Sequence, residues 1–550
     1  MKYKISFSRN IFSAYTIIAL VLTLAILLPT ARTQEVTSGK TKAIAMPSPF
    51  PVKRQENREF WYRDGEAFIS RSKQFAGKAT RAKNVILFVG DGMGIATITA
   101  SRILEGQMRG ASGEENRLSF EEFPSVALSK TYSVNQQVTD SAAAMTAIIT
   151  GVKTDSGTLS VDQNVIRGDY KTVKGNELPT ILEIAEQRGL STGVVTNSTL
   201  TDATPGACYA HVAERGWESD ADLPPDARSA GSSDIARQLI EFPYGDGLEV
   251  ALGGGRAKFT PNTTTDPEYA DKKGERLDGR DLTAEWTRKN QNSEYVWNKR
   301  QFDAVNPKKT NRLLGLFDVA SLRYEHDRAK DVGGEPSLTE MTTKAIDILS
   351  NNKKGYFLMV EGEGIDTAHH EGNAYRALTE TIELSNAVRA ALAKVDLKDT
   401  LIIVTADHSH TLSISGSPTR GNNILGLVRP NDEQGNPKTQ PVLDTNGLPY
   451  TTLNYANGSG VRSGNDSRPS ITNDETTTPD YKQEAVVPLK YETHGGEDTV
   501  IFATGAGANL VRGVMEENWI FQVMKESFAF RGNKSRKWNA GESSRARPNL

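Results

Sequence analysis

Apolar residues in this chain gather into short unbroken runs, and three of those runs end on a carboxylate. Val85–Val89 leads through one Gly to Asp91. Tyr356–Val360 leads to Glu361, with Asp366 and His370 just beyond. Leu401–Val404 leads to Asp407 and His408. Continuous aliphatic and β-branched runs of this length predict parallel strands buried on both faces. Thr192–Thr196 and Thr499–Ala503 read the same way, while Leu178–Arg188, Leu338–Leu349 and a stretch near Phe60–Phe75 carry helical periodicity. From Lys83 to about Leu401 the two kinds of segment alternate. That alternation predicts an α/β three-layer sandwich, with helices on both faces of a central, mostly parallel sheet.

The alternation stops at residues 411–485, which are rich in Gly, Pro, Asn, Ser and Thr. This stretch reads either as a disordered insertion or as a small irregular β subdomain built on Ile424–Val428 and Tyr450–Tyr455. The chain divides accordingly into a signal segment (1–33), a linker and helix (34–80), an α/β domain (81–410), the insertion (411–485), the end of the α/β domain (486–530) and a basic tail (531–550).

In the first segment Lys2, Lys4 and Arg9 precede an apolar run from Ile17 to Leu28 that only Thr23 interrupts. A basic flank followed by a short apolar core predicts a secretory signal cleaved near Ala31–Thr33, and hence export to the periplasm or the cell exterior. Left uncleaved, the same run would anchor the chain in a membrane. A formal net charge of −3 gives no reason to propose nucleic acid as a partner. The sole cysteine, Cys208, allows no internal disulfide, and its neighbours Ala207 and Tyr209 suggest a small buried hydrophobe.

Asp, Glu and His delivered to one sheet edge are the donors that bind divalent cations. Asp366 and His370 are four residues apart, so a helical turn would present both to one ion. Asp407 and His408 end a buried strand, where charge needs a partner. His494 lies in a Gly-flanked loop, and His410 falls beside the same clusters. Ser141 follows Asp140 and precedes a run of good helix formers. There it is either part of an ordinary helix cap or, beside a metal cluster, a candidate nucleophile.

Six motifs, in order, carry a resemblance. They are Val85-Ile86-Leu87-Phe88-Val89-Gly90-Asp91-Gly92-Met93-Gly94, Asp140-Ser141, Thr201-Asp202-Ala203-Thr204-Pro205, the stretch from Val360-Glu361-Gly362 to His370, Thr405-Ala406-Asp407-His408-Ser409-His410, and Thr493-His494-Gly495-Gly496-Glu497-Asp498. Together they resemble the signatures of the alkaline phosphatase family from about Phe60 to Met524, with residues 411–485 similar to the crown of the animal-type enzymes. The resemblance implies an alkaline phosphatase-like fold and hydrolysis of phosphate monoesters through a phosphoserine. It implies one zinc on Asp366, His370 and His494, a second on Asp91, Asp407 and His408 beside the nucleophile Ser141, and magnesium on Asp91, Thr204 and Glu361. Arg215 matches the arginine that clamps substrate phosphate, as a guanidinium fork can. A homodimer, with the helix near Phe60 and the crown at its interface, is implied as well.

The sequence departs from the family at positions that bear on bound metals. Asp202 is bacterial-like, where animal enzymes have His, and Thr367 is neither the Lys nor the His usual there; both bear on the third metal. Phe317, Asp318 and Glu335 could serve the calcium ion of animal enzymes, but Ala230 stands where a glutamate is expected, which weighs against calcium. A sulfatase would need Pro and Arg after its nucleophile, and Ser141-Ala142-Ala143-Ala144-Met145 has neither. Arg215 argues for monoesters over diesters, and the candidate nucleophile argues against a protein that only binds metal.

Overall fold

The computed structural model describes residues 56–76, 80–289, 291–460 and 468–530. The signal segment, the linker as far as residue 55 and the basic tail lie outside the described residues. Strand β1 (Asn84–Gly90) is the axis of the fold, and its pleat sends side chains alternately to two cores. Val85, Leu87 and Val89 enter one apolar cluster, Ile86 and Phe88 the other. A strand that must be apolar on both faces has no polar alternation, which is why the run is unbroken in sequence.

Ten strands, numbered along the chain, form the sheet. β7 (Tyr356–Gly362) and β8 (Thr400–Thr405) flank β1 in parallel, with Val89 level with Glu361 on one side and Thr405 on the other. This register brings Asp91, Glu361 and Asp407 out at the same edge. Past β7 come β3 (Ser191–Thr199), β4 (Val250–Gly254), β6 (Arg312–Leu316) and β5 (Ser293–Val296). Past β8 come β14 (Thr499–Gly505), β2 (Ser125–Lys130) and β15 (Gly513–Glu516). Only β14 runs against its neighbours. The Ile86 face is covered by helices α2 (Ile95–Met108), α5 (Leu338–Leu349) and α7 (Ala374–Lys394). The Leu87 face is covered by α1 (Arg58–Ala76), α3 (Ser141–Thr150), α4 (Ile181–Gln187) and α8 (Trp519–Ser527). A short helix, α6 (Gly364–His370), follows β7.

The local chemistry sets the helix bounds. Ser337 caps α5 reciprocally with Glu340, so α5 starts at Leu338 as its periodicity predicts. The same device at Thr180 and Glu183 starts α4 at Ile181 rather than at Leu178.

In the insertion, β10 (Leu412–Ile414), β11 (Leu453–Gly458) and β12 (Ala485–Pro488) form a three-stranded sheet. The expected strand at Tyr450–Tyr455 appears, shifted, as β11. The one expected at Ile424–Val428 does not form. Side chains of Asn423 and Asn473 take the N–H groups of Leu425 and Leu427, leaving a single bridge from Leu427 to Thr451. Short polar side chains have outcompeted a ladder there. Where the insertion leaves and rejoins the sheet domain, β9 (Ser409–His410) pairs antiparallel with β13 (His494–Gly495). That two-residue ladder carries His494 to the edge where His408 already stands.

The central and outer strands differ in what truncation should cost. Leu87→Ala removes a fully buried side chain from β1 and should cost about 2–5 kcal/mol. Val126→Ala on β2, where 49% of the residue is exposed, should stay within about 0.5 kcal/mol. Denaturant unfolding of the two variants checks the contrast, and equal losses would contradict the assignment of β1 as the buried axis.

Candidate metal centre and active site

Three buried carboxylates crowd the carboxyl edge of β8, β1 and β7. Asp91 and Glu361 are held well above the usual carboxylate range, first by burial and then by neighbouring acids. Burial, with Asp366 nearby, lifts Asp407 to about 7. Asp91 Oδ1 lies 3.3 Å and Asp407 Oδ2 3.4 Å from Nε2 of His408, yet neither oxygen accepts a hydrogen bond among the described residues. Buried, adjacent and unpaired, such oxygens need a cation. The backbone makes room for the cluster at Gly92, whose φ of +69° is left-handed and where a Cβ would lie 2.4 Å from the His410 ring. Its N–H donates to Asp407 Oδ1 at 3.1 Å.

The histidines are oriented by backbone carbonyls. Nδ1 of His370 faces Glu492 O at 2.6 Å, and Nδ1 of His494 faces Thr139 O at 2.8 Å. A carbonyl can only accept, so the proton sits on Nδ1 and Nε2 presents a lone pair, the form that binds metal. Those Nε2 atoms meet 3.2 Å apart, and His370 Nε2 is 3.3 Å from Asp366 Oδ2. Burial pushes His408 and His494 below the usual imidazole range, which favours the same neutral state.

His410 behaves differently. Its Nε2 faces Asp366 Oδ1 at 2.6 Å and its Nδ1 faces Glu492 Oε2 at 2.5 Å. Burial opposes a charge there, but the two carboxylates outweigh it and raise the ring to about 10. Proximity alone would group His410 with Asp366, His408 and His494, whose donor atoms all lie within 4.8 Å of one another. As an imidazolium with both N–H groups engaged it has no lone pair to give, and it orients Asp366 instead. His369 is buried between Thr97 Oγ1 and the Tyr455 hydroxyl, a neighbour of the cluster and not part of it.

Ser141 is the first residue of α3, and Asp140 is its cap. Asp140 Oδ1 accepts from Ala143 N, and Oδ2 accepts from Gly157 N and from Arg215 Nη1 at 3.4 Å. Because Asp140 does the capping, the Ser141 hydroxyl is free to face the cluster, 3.2 Å from His408 Nε2. Arg215 also donates from Nη2 to Asp202 Oδ1 at 3.1 Å, so its fork is held between two acids, one of them the neighbour of Ser141 in sequence. Thr204 Oγ1 reaches Asp91 Oδ2 at 3.5 Å, and Thr196 Oγ1 donates to Glu361 at 2.5 Å. Thr367 turns away from the carboxylates expected to hold a third ion and hydrogen-bonds Glu363.

Sequence reasoning missed Glu363, Glu492, Thr196 and the capping role of Asp140. Glu363 stands two residues beyond Glu361 at the same strand end and could have been found from that. A separate acidic group joins Asp318 to Glu268 and Asp331. Glu335, expected beside Asp318, is lifted to about 8 by burial and by the nearby Asp331 and Asp318, and accepts from Arg323 N. Ala230 ends the helix Pro225–Ser229. Arg256 Nη2 pairs with Glu268 at 2.9 Å, and Arg323 Nε pairs with Asp331 at 3.1 Å.

Residues 82–530 match the family model described as Alkaline phosphatase. The chain belongs to the alkaline phosphatase family. Members of the family are phosphomonoester hydrolases. An alkaline phosphatase of Gadus morhua is 44% identical over 450 residues, 81% of this chain and 91% of that protein. The tissue-nonspecific alkaline phosphatase of Mus musculus is 42% identical over 482 residues, 86% of this chain and 89% of that protein. Among solved structures, alkaline phosphatase from Thermus thermophilus superposes with a TM-score of 0.57 at 25% identity, covering 82% of this chain and 92% of that one. That from the Antarctic bacterium TAB5 gives 0.55 at 22% identity, covering 82% and 100%, a likeness of fold.

The orphaned carboxylates predict that stability draws on divalent cations. Chelation at neutral pH should lower the thermal midpoint by several degrees, about 2–4 kcal/mol of linkage, and returning divalent metal should restore it. A midpoint indifferent to chelator in differential scanning calorimetry would refute the metal-centre assignment.

Proposed function

We propose that this alkaline phosphatase hydrolyses phosphate monoesters to an alcohol and inorganic phosphate through a phosphoserine on Ser141. The observation that carries the reading is the Ser141 hydroxyl facing His408 of the Asp91–Asp407–His408 cluster while the Arg215 fork is held on the neighbouring Asp140. Asp366, His370 and His494 would hold one zinc, and Asp91, Asp407 and His408 the other, since imidazole nitrogen with carboxylate suits zinc. The all-oxygen set of Asp91, Thr204 and Glu361 suits magnesium. When bound, these cations supply Lewis acidity and neutralise charge on the phosphoryl group.

The chain's own groups supply the rest. Ser141 Oγ forms the bond to phosphorus as the ester P–O bond breaks and the alcohol departs with a proton. Water then cleaves the Oγ–P bond, returning the serine hydroxyl and releasing phosphate. Arg215, permanently charged, offers two parallel N–H groups to phosphate oxygens. Asp140 and Asp202 keep that fork oriented before substrate arrives. A diester brings a second organic group where the fork expects a free oxygen, which favours monoesters.

A homodimer and an exported location belong to the same proposal. Val486, Val487, Leu489 and Tyr491 on and after β12 form a run of exposed apolar residues, the kind of surface a second copy would cover. The basic and apolar pattern of residues 1–33 supports export to the periplasm or exterior.

Hydrolysis of an aryl phosphate monoester, diester and sulfate, compared at about pH 9 with zinc and magnesium supplied, tests the substrate class. The monoester should be turned over fastest; faster diester or sulfate turnover would overturn the proposal. Ser141→Ala should lower kcat by at least about 10³-fold with metal content unchanged. Arg215→Ala should lower kcat/KM by about 10–100-fold, mostly through KM. A Ser141→Ala enzyme that kept most of its activity would remove the serine from the mechanism.

A further inference from the structure

Arg215 ends an irregular segment that begins after the short helix Ala203–Gly206, and such a segment needs anchors if its guanidinium is to stay in place. Its backbone has some. Leu159 and Val212 exchange both N–H···O bonds, and Arg215 N donates to Gly157 O at 2.8 Å. Within the segment, the side chain of His211 also ties it to two other elements at once. Its Nδ1 lies 2.8 Å from Ser160 O and its Nε2 lies 2.7 Å from Glu183 Oε1, with the side chain 13% exposed.

Both partners reach further. Ser160 holds a left-handed φ of 47°, costly for a residue with a Cβ. Its N–H donates to Thr146 Oγ1, on the helix that Ser141 begins, and its hydroxyl donates to Ala207 O. Glu183 uses its other oxygen to accept from Thr180 N at the start of α4. The His211 ring therefore stands where the nucleophile helix, α4 and the arginine segment meet. A carbonyl oxygen and a carboxylate oxygen both accept, so only the doubly protonated ring satisfies both contacts.

We propose that His211, as an imidazolium bonded to Ser160 and Glu183, is a positioning residue that holds the Arg215 segment against the nucleophile helix. The proposal rests on Arg215 binding substrate phosphate, as argued above. Loss of the ring proton would leave one contact with two lone pairs facing each other, and the segment would loosen. Burial opposes the charge, but Glu183, its hydrogen bond, the Ser160 carbonyl and, more remotely, Glu177 prevail and raise the ring to about 9. A raised value means that the ion pair's contribution is whole below the ordinary 6.5 and is lost as pH rises through about 9. Phosphate affinity should therefore fall across the alkaline range for a reason separate from the metal centre.

The test uses the metal-loaded full chain and compares His211→Gln, Glu183→Gln, Arg215→Ala and the double variant His211→Gln/Arg215→Ala. KM for an aryl monoester and the inhibition constant of inorganic phosphate are measured from about pH 7 to about pH 10.5, alongside metal content. At about pH 8, His211→Gln and Glu183→Gln should each raise both constants about 10-fold, with kcat within about twofold. Their profiles should lack the alkaline weakening seen in the parent. In the Arg215→Ala background His211→Gln should add nothing, since the effect runs through the arginine. Unchanged constants in both single variants, or a full additional loss in the double variant, would overturn the role of His211. An Arg215→Ala enzyme with unchanged KM would instead overturn the clamp reading itself. Should His211→Gln fail to fold, Glu183→Gln, which keeps its size and acceptor, decides alone.

Discussion

Buried negative charge in excess of its partners is the constraint around which this molecule is arranged. Asp91, Glu361 and Asp407 leave the ends of adjacent parallel strands and Asp366 lies on α6, and all four are buried. In a medium of low dielectric such a group is neutralised by a proton, a cationic side chain or a metal ion. The structure uses cationic side chains sparingly. His410 satisfies Asp366, and Arg215 satisfies Asp140 and Asp202. The remaining positive charge would come from the divalent cations proposed above, and affinity for metal and folding stability would then draw on the same carboxylates.

The strands that build this edge were legible because burial on both faces demands unbroken apolar runs, and β1, β7 and β8 appear within a residue or two of the expected bounds. α5 was equally plain, since period and cap agree. The strand expected at Ile424–Val428 was not legible, because its outcome depends on Asn473, far along the chain. The candidate site divides in the same way. Residues that end strands announce themselves. The division of labour among four histidines does not, since what separates His410 from His408 is what faces Nδ1, and Glu492 reaches that position only through the β9–β13 ladder. Asp140 and Ser141 were recognisable as a helix start, but which of the two caps follows from backbone geometry.

With no disulfide available, the domain secures its periphery by buried ion networks. Arg256 is fully buried and bonds Asp266 and Glu268, while Arg276 does the same with Asp234 and Asp278. Networks of this kind lose heavily when one partner is removed, because the other charge is left stranded. They suit an outer region where the sheet gives way to loops.

The two-residue ladder between β9 and β13 closes a very long loop, and closing a loop has an entropic cost that grows slowly with its length. Two backbone pairs are a slight clasp for so large an excursion. His494 lies on that clasp and Asp366 on the sheet domain, 3.6 Å apart. An ion held by both, as proposed above, would fasten the loop a second time, at its neck. The order of the loop's described residues would then depend on the centre's occupancy as much as on their own packing, and a protease that attacks open loops should sense the metal from a distance.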